Sequence, residues 1–188
     1  MKYILILITL SFCIALSAQK KFEREYRIDC AEVPDSAKDF IEKGPFKKKV
    51  KWYREESDQG VSIEAKTKHQ GHDFSIEFDT LGTLQDIEIT RRLRSLPVDR
   101  QKTIHTALRE RYVKYHVKKL QLHYDQSKDE LLDMLNARLG YDILPYYEIE
   151  LKAKKDQTTK LYEILLSYHG DVLREREIQL DFPTNMEF

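Results

Sequence analysis

The sequence predicts an α+β fold of two tandem units, each a helix followed by an antiparallel meander, with an inserted helical loop in the second. Four observations predict it. A strand motif recurs, Ile63 to Lys68 reading IEAKTK and Ile149 to Lys154 reading IELKAK. Each copy is followed by a polar turn and a second alternating run: Phe74, Ile76 and Phe78 in the first, Tyr162, Ile164 and Leu166 in the second. A hydrophobic–proline pair opens each unit, Val33-Pro34 and Leu96-Pro97. A glycine, Gly82 or Gly170, precedes a last run ending in Ile89 or Ile178. Two copies of about eighty residues are too few for a solenoid, so the pattern reads as a duplicated fold.

The elements follow in order. Met1, Lys2 and Tyr3 form a short, positively charged start, and Ile4 through Leu16 is apolar but for Thr9 and Ser11. Ala15, Ser17 and Ala18 supply the small residues a signal peptidase requires, so 1–18 reads as a secretory signal. The run is too short to span a bilayer core of ~30 Å comfortably as a helix. The bulky Phe12 ahead of Cys13 argues against lipid attachment. Residues 19–32 form an N-terminal extension in which Tyr26, Ile28 and Cys30 alternate as in a strand.

In the first unit, 33–90, Ala37, Phe40 and Ile41 share a helical face after Pro34, and Gly44-Pro45 stops the helix. Strands are expected at Val50–Arg54, Val61–Lys68, Phe74–Phe78 and Leu84–Ile89, broken by turns around Ser57–Gly60, Gln70-Gly71 and Leu81-Gly82. A basic linker, 91–95, carries Arg91, Arg92 and Arg94. The second unit, 96–180, has a longer stripe of Ile104, Ala107, Leu108, Tyr112 and Tyr115. Its strands are expected at Val117–Tyr124, Tyr146–Lys154, Leu161–Tyr168 and Val172–Leu180. An insert over 125–145 places Leu131, Leu132, Leu135 and Leu139 at helical spacing, with Gly140 as a stop. It reads equally as a functional loop or as a cover for the sheet. A tail, 181–188, follows.

Composition narrows the function classes. The whole chain has a formal charge of +0, and loss of Lys2 with the signal leaves −1, which gives no case for nucleic acid or an anionic membrane as partner. No other apolar run reaches spanning length, so no stable membrane insertion is expected once the signal is removed. Cys13 leaves with the signal. Cys30 then stands alone, with no disulfide framework, and is expected to be buried as a small hydrophobe rather than to act as a reactive thiol.

No phosphate loop, nucleophile elbow or paired-cysteine motif occurs, and no catalytic residue, cofactor or metal is assigned. His69 and His72, with Asp73, could pinch a metal at the HQGH turn, but a site needs three or four ligands and a second shell, so a solvated polar turn is the simpler reading. The acidic residues interleave with lysines on the period-2 strands. Glu64, Lys66, Glu77, Glu150 and Lys152 share the face opposite Ile63, Ala65, Ile76, Phe78, Ile149 and Leu151. On an open face, alternating signs hold every group ionised, which suits recognition better than acid–base chemistry.

The string Val61–Glu88, with Lys51-Trp52-Tyr53 before it, then IEAKTK, Phe78-Asp79-Thr80-Leu81-Gly82 and Asp86-Ile87-Glu88-Ile89, resembles the small exported proteins of Bacteroidota classed as PepSY-like or β-lactamase-inhibitor-like. The resemblance covers roughly 33–180 and is weaker in the second copy, which carries the insert. It implies tandem helix-plus-meander modules, secreted or periplasmic, with no established activity. Relatives of that fold include protease propeptide segments and an inhibitor that grips β-lactamases with a concave sheet. No residue role is carried over.

The function expected is therefore an exported, non-enzymatic binding protein, in its sharpest form an inhibitor or regulator of an exported protein, presenting the mixed-charge face to a protein or peptide. The alternative is a small metal-binding or hydrolytic envelope protein using the HQGH turn. A structural or folding-assisting envelope protein is a third class. The exported protein is expected to begin at Ala18 or Gln19. Intact-mass measurement checks this, and a mass that retains Met1 to Ser17 or carries a lipid defeats it.

Overall fold

Prolines 34 and 97 decide where two helices begin. Each sits at the N-cap with near-identical backbone angles (φ −56°, ψ 141° and φ −53°, ψ 146°), just ahead of the first helical residue. In the computed structural model, which describes residues 19–21, 23–58, 60–136 and 143–178, the elements run β1 (Gln19–Lys21), β2 (Glu23–Ile28), α1 (Asp35–Lys43), β3 (Lys51–Ser57), β4 (Gly60–His69), β5 (His72–Asp79), β6 (Leu84–Thr90), α2 (Val98–Arg111), β7 (Lys114–Tyr124), α3 (Lys128–Leu135), β8 (Tyr146–Lys155), β9 (Thr158–Leu166) and β10 (Val172–Ile178). The signal segment 1–18, Leu139 and Gly140 of the insert, the end of the last expected strand and the tail 181–188 lie outside the described residues.

Acidic residues open both main helices (Asp35 and Asp99) and basic ones close them (Lys43; Arg109 and Arg111), as the helix dipole favours. The stripe after Pro97 is shorter than expected. The helix stops at Arg111, Tyr112 is extended (φ −126°), and Tyr115 belongs to β7.

The described strands form one sheet in the order β1-β10-β9-β8-β7-β6-β5-β4-β3-β2. All neighbours are antiparallel except β1, which runs parallel to β10. Register follows the alternation. Ile63 faces Phe78 and Ala65 faces Ile76 across β4 and β5, while Ile149 faces Ile164 and Leu151 faces Tyr162 across β8 and β9. The β4–β5 hairpin turns through Gln70 and Gly71, both at positive φ (49° and 82°), the geometry of a two-residue primed turn. The extension 19–32 is not an appendage, since β1 and β2 supply the two edges of the sheet. Cys30 is exposed in a short 3-10 turn rather than buried, because the strand that would have turned it inward ends at Ile28.

All three helices cover one face of the sheet. Val33, Ala37 and Phe40 pack with Trp52, Ile63, Ile76, Phe78 and Ile87, the Phe40 and Phe78 rings meeting edge to face at 5.7 Å. Ile104, Ala107 and Leu108 pack with Leu120, Tyr147, Ile149, Leu151 and Ile164. Leu122 of β7 touches both cores. Gly82, at φ 82°, lies so close to the start of α1 that a Cβ there would come within 2.2 Å of Ser36 Oγ and 2.7 Å of the Pro34 Cβ.

The described helix of the insert acts as a cover. Ser127 caps α3 reciprocally with Glu130, and the helix buries Leu131 and Leu135 in the core of α1, not in that of α2. Asn136 Nδ2 donates to the Lys43 carbonyl at the end of α1 (3.3 Å). A helix placed after β7 thus closes the core of the preceding elements. Leu131→Ala should therefore cost ~2–5 kcal/mol by chemical denaturation. Leu81→Ala, 80% exposed in a turn, should stay within about 0.5 kcal/mol. A cost below about 1 kcal/mol for Leu131→Ala would mean that α3 only rests on the surface.

Candidate functional site

With the helices on one face, strand alternation sends the charged side chains to the other. That face is concave. β1 and β2 lie at opposite edges of the sheet, yet a single residue separates Lys21 from Glu23. Two Cα–Cα steps reach at most ~7.6 Å, so the edges must approach each other. An ion pair also spans the gap, Arg176 Nη1 lying 3.7 Å from Asp58 Oδ2. The result is a trough of about 890 Å³ lined by side chains from β2 through β10.

The floor of the trough is acidic. Glu64 on β4 stands directly opposite Glu77 on β5, and Glu77 directly opposite Asp86 on β6. Glu88 follows two residues on, paired in register with His123 of β7. At both ends the carboxylates are neutralised. Lys66 Nζ sits 3.1 Å from Glu64 and 2.6 Å from Glu25, and lies 5.1 Å from the Tyr53 ring centre. Arg174 reaches Glu148 (3.2 Å) and Glu163 (3.4 Å). Ser75 Oγ donates to Glu64, Gln121 Nε2 donates to Glu88, and His123 Nδ1 is 3.6 Å from Glu88.

Burial and crowding alter the proton affinities. Burial raises the Glu64 carboxyl above the usual carboxylate range despite the opposing Ser75 and Lys66 contacts. Asp86 is pushed well up, first by burial and then by the charges of Glu77 and Glu88. For His123, burial alone would lower the imidazole. The adjoining Glu88 carboxylate and the charges of Asp86 and Glu148 outweigh it and hold the ring up to about 9.

Of the residues singled out in the sequence, Glu64, Lys66 and Glu77 line the trough, while Glu150 and Lys152 lie farther along β8 and do not. Lys119 pairs with Glu150 at 3.7 Å, and Lys152 is exposed. The expectation of an open face is corrected: Glu64 is 8% exposed and Glu163 1%. Asp86, Glu88, Gln121, His123, Glu148, Glu163, Arg174 and Arg176 escaped the sequence reading as site residues. For the first five of these the signal was present as alternation with Ile87 and Ile89, Leu120 and Leu122, and Tyr147 and Ile149.

At the HQGH turn the histidines face each other across the hairpin, but the ring of His69 packs edge-on against Phe46 and Phe74, and Asp73 pairs with Lys68 at 2.9 Å. Elsewhere Asp86, Glu88 and His123 offer ligand atoms within 4.8 Å of one another, as do Glu25, Glu55 and Glu64. With its ring held as a cation at neutral pH, His123 must lose a proton before it can ligate.

No protein-family model matches the chain, and no curated protein sequence matches it. Solved structures share its fold. A DUF2874 family protein from Bacteroides ovatus ATCC 8483 is 16% identical, with a TM-score of 0.53 over 77% of this chain and 87% of that one. A BLIP-like protein from Bacteroides fragilis NCTC 9343 is 16% identical, with a TM-score of 0.52 over 81% and 92%. A candidate periplasmic protein from Bacteroides eggerthii DSM 20697 is 16% identical, with a TM-score of 0.50 over 77% and 88%. At these identities the likeness shows the fold alone. No helix among the described residues is long and apolar enough to cross a membrane.

The raised imidazole sets a pH dependence. A group whose folded pKa lies above its unfolded value stabilises fully below the unfolded value, about 6.5 for histidine, and that stability is lost as pH rises through the folded one. His123 should thus make the Tm fall between pH 6.5 and about 9. The raised carboxyls of Glu64 and Asp86 act in the same direction. Thermal melts across this range check the slope, which His123→Gln should flatten. An unchanged slope in the variant would show that the ring is not held as a cation.

Proposed function

We propose that this chain is an exported, non-enzymatic binding protein, periplasmic or secreted, whose curled polar face grips a segment of a protein partner as an inhibitor or regulator. The observation that carries the reading is the trough, a concave surface turned away from both cores and lined by placed charges rather than by a filled interior. Concave surfaces of this size suit a ligand that enters and is held from several sides. The ion pairs at its ends orient polar groups for recognition, and complementary charge sets register and association rate more than raw affinity. The likeness to a BLIP-like structure supports the same role at the level of fold.

Residues 33–90 and 96–180 are, in this reading, two copies of one PepSY-like unit joined by the linker 91–95. Supporting it, each has a proline-capped helix followed by four strands, with Ile63 and Ile149 on the second strand of each set. Within the trough Glu64, Lys66 and Glu77 meet the partner, and Glu150 and Lys152 form an outer approach along β8.

Site-specific photocrosslinking in cells tests the proposal. A crosslinker at Ser62 or Ser75, inside the trough, should give adducts with the same protein, while one at Lys102, exposed on α2, should give none. Adducts from Lys102 without any from the trough would place the binding surface on the helices instead.

A further inference from the structure

We infer that the partner segment delivers a positively charged side chain, a lysine or an arginine, to the acid row Glu64–Glu77–Asp86 on the trough floor. The inference rests on the reading of the trough as a protein-binding face and names the chemistry that face selects. Register is the first ground. Residues directly opposite on antiparallel strands hold their Cβ atoms roughly 4.5–5.5 Å apart, and like charges so placed destabilise a sheet. Here two such pairs run consecutively across three strands, Glu64 with Glu77 and Glu77 with Asp86.

The second ground is the pattern of compensation. Glu64 has Lys66, Glu88 has His123 and Gln121, and Glu148 and Glu163 have Arg174. Among the described residues, Glu77 at the centre of the row has neither a hydrogen bond nor an ion pair, and Asp86 has only the charge of the His123 ring within 4.8 Å, which Glu88 also engages. The chain supplies Lys66 and Arg174 toward the ends and shares the His123 charge among Asp86, Glu88 and Glu148, so Glu77 in the middle of the floor is left for a cation from outside. A sheet that breaks the charge-pairing rule at one place on its concave face does so where function, rather than folding, sets the residues. The Asp86 carboxyl, pushed up by burial and by its acidic neighbours, shows the same demand for positive charge.

The third ground is room. An opening of about 890 Å³ accommodates an extended peptide with its side chains and is far larger than a monatomic ion requires. Charge complementarity and size together select a basic side chain on a polypeptide.

The test uses short Gly/Ser peptides with two central arginines, or with two citrullines as the uncharged isostere, titrated into ¹⁵N-labelled protein. The arginine peptide should shift the amides around Glu77, Asp86 and His123, and the citrulline peptide should not. The double variant Glu77→Gln, Asp86→Asn should weaken arginine-peptide binding at least about tenfold. In the ligand-free protein at mildly alkaline pH, the same variant should raise the Tm by about 2–4 °C, because it removes the repulsion. Equal binding of both peptides in the trough overturns the cation and leaves the peptide-binding reading standing. Saturation of the same amides by Mn²⁺ alone, with displacement of the peptide, overturns it in favour of an ion. A lowered Tm in the double variant would mean that the acid row serves the fold, and no amide shift with the arginine peptide sinks the inference whatever the crosslinking shows.

Discussion

One peptide unit on either side of residue 22 constrains the whole sheet. Because Lys21 pairs alongside β10 and Glu23 alongside β3, the outermost strands cannot lie farther apart than a short stretch of backbone permits. A flat sheet of ten strands at ~4.8 Å spacing would separate its edges by about 40 Å. The natural twist of antiparallel strands and the tie between the edges bend it instead into a trough. The direction of bending then assigns the faces. The convex side has the area to seat three helices, and the concave side is too confined for them. Alternation along each strand does the rest, sending Ile, Leu and aromatic side chains outward to the helices and carboxylates and guanidinium groups inward.

That inversion explains why the inner face behaves as it does. In an open sheet, Glu64 and Glu163 would be hydrated and their proximity to other acids would matter little. Curvature brings protein around them and lowers the effective dielectric, so each charge needs a local partner. Lys66 and Arg174 each serve two carboxylates for this reason, and His123 takes on a proton it would not hold in water at neutral pH. The helix side has its own charge cluster. Glu175, contacted by Arg111 and Lys155, is partly buried, which would raise its carboxyl, but the two cations prevail and hold it below the usual range.

Much of the scaffold was legible in the residues. Period-2 alternation located the strands to within a few positions, and the proline pairs located both main helices. Glu64, Lys66 and Glu77 were placed on the polar face because Ile63, Ala65, Ile76 and Phe78 had to occupy the other. Three things were not legible. The exposure of Cys30 depends on where β2 stops, which is set by pairing to β3 rather than by local preference. The role of α3 depends on which core its leucines reach, and helical spacing identifies a buried face without naming what buries it. The curl, and with it the separation of Glu150 and Lys152 from the trough, comes from the pairing of β1 with β10, a contact between distant parts of the chain carried by three residues with no distinctive pattern.

The adjacency of β1 and β10 has a kinetic meaning. The first strand of the sheet to be synthesised finds its neighbour only when nearly the last has been made, and the core beneath α1 stays open until Leu131 and Leu135 arrive. Such non-local pairing delays folding, because a long loop must close before its contacts compensate the lost chain entropy. Until then β6 presents an unpaired edge and the first apolar face lacks part of its cover, the condition in which chains associate wrongly. A polypeptide built this way stays unfolded while it is incomplete.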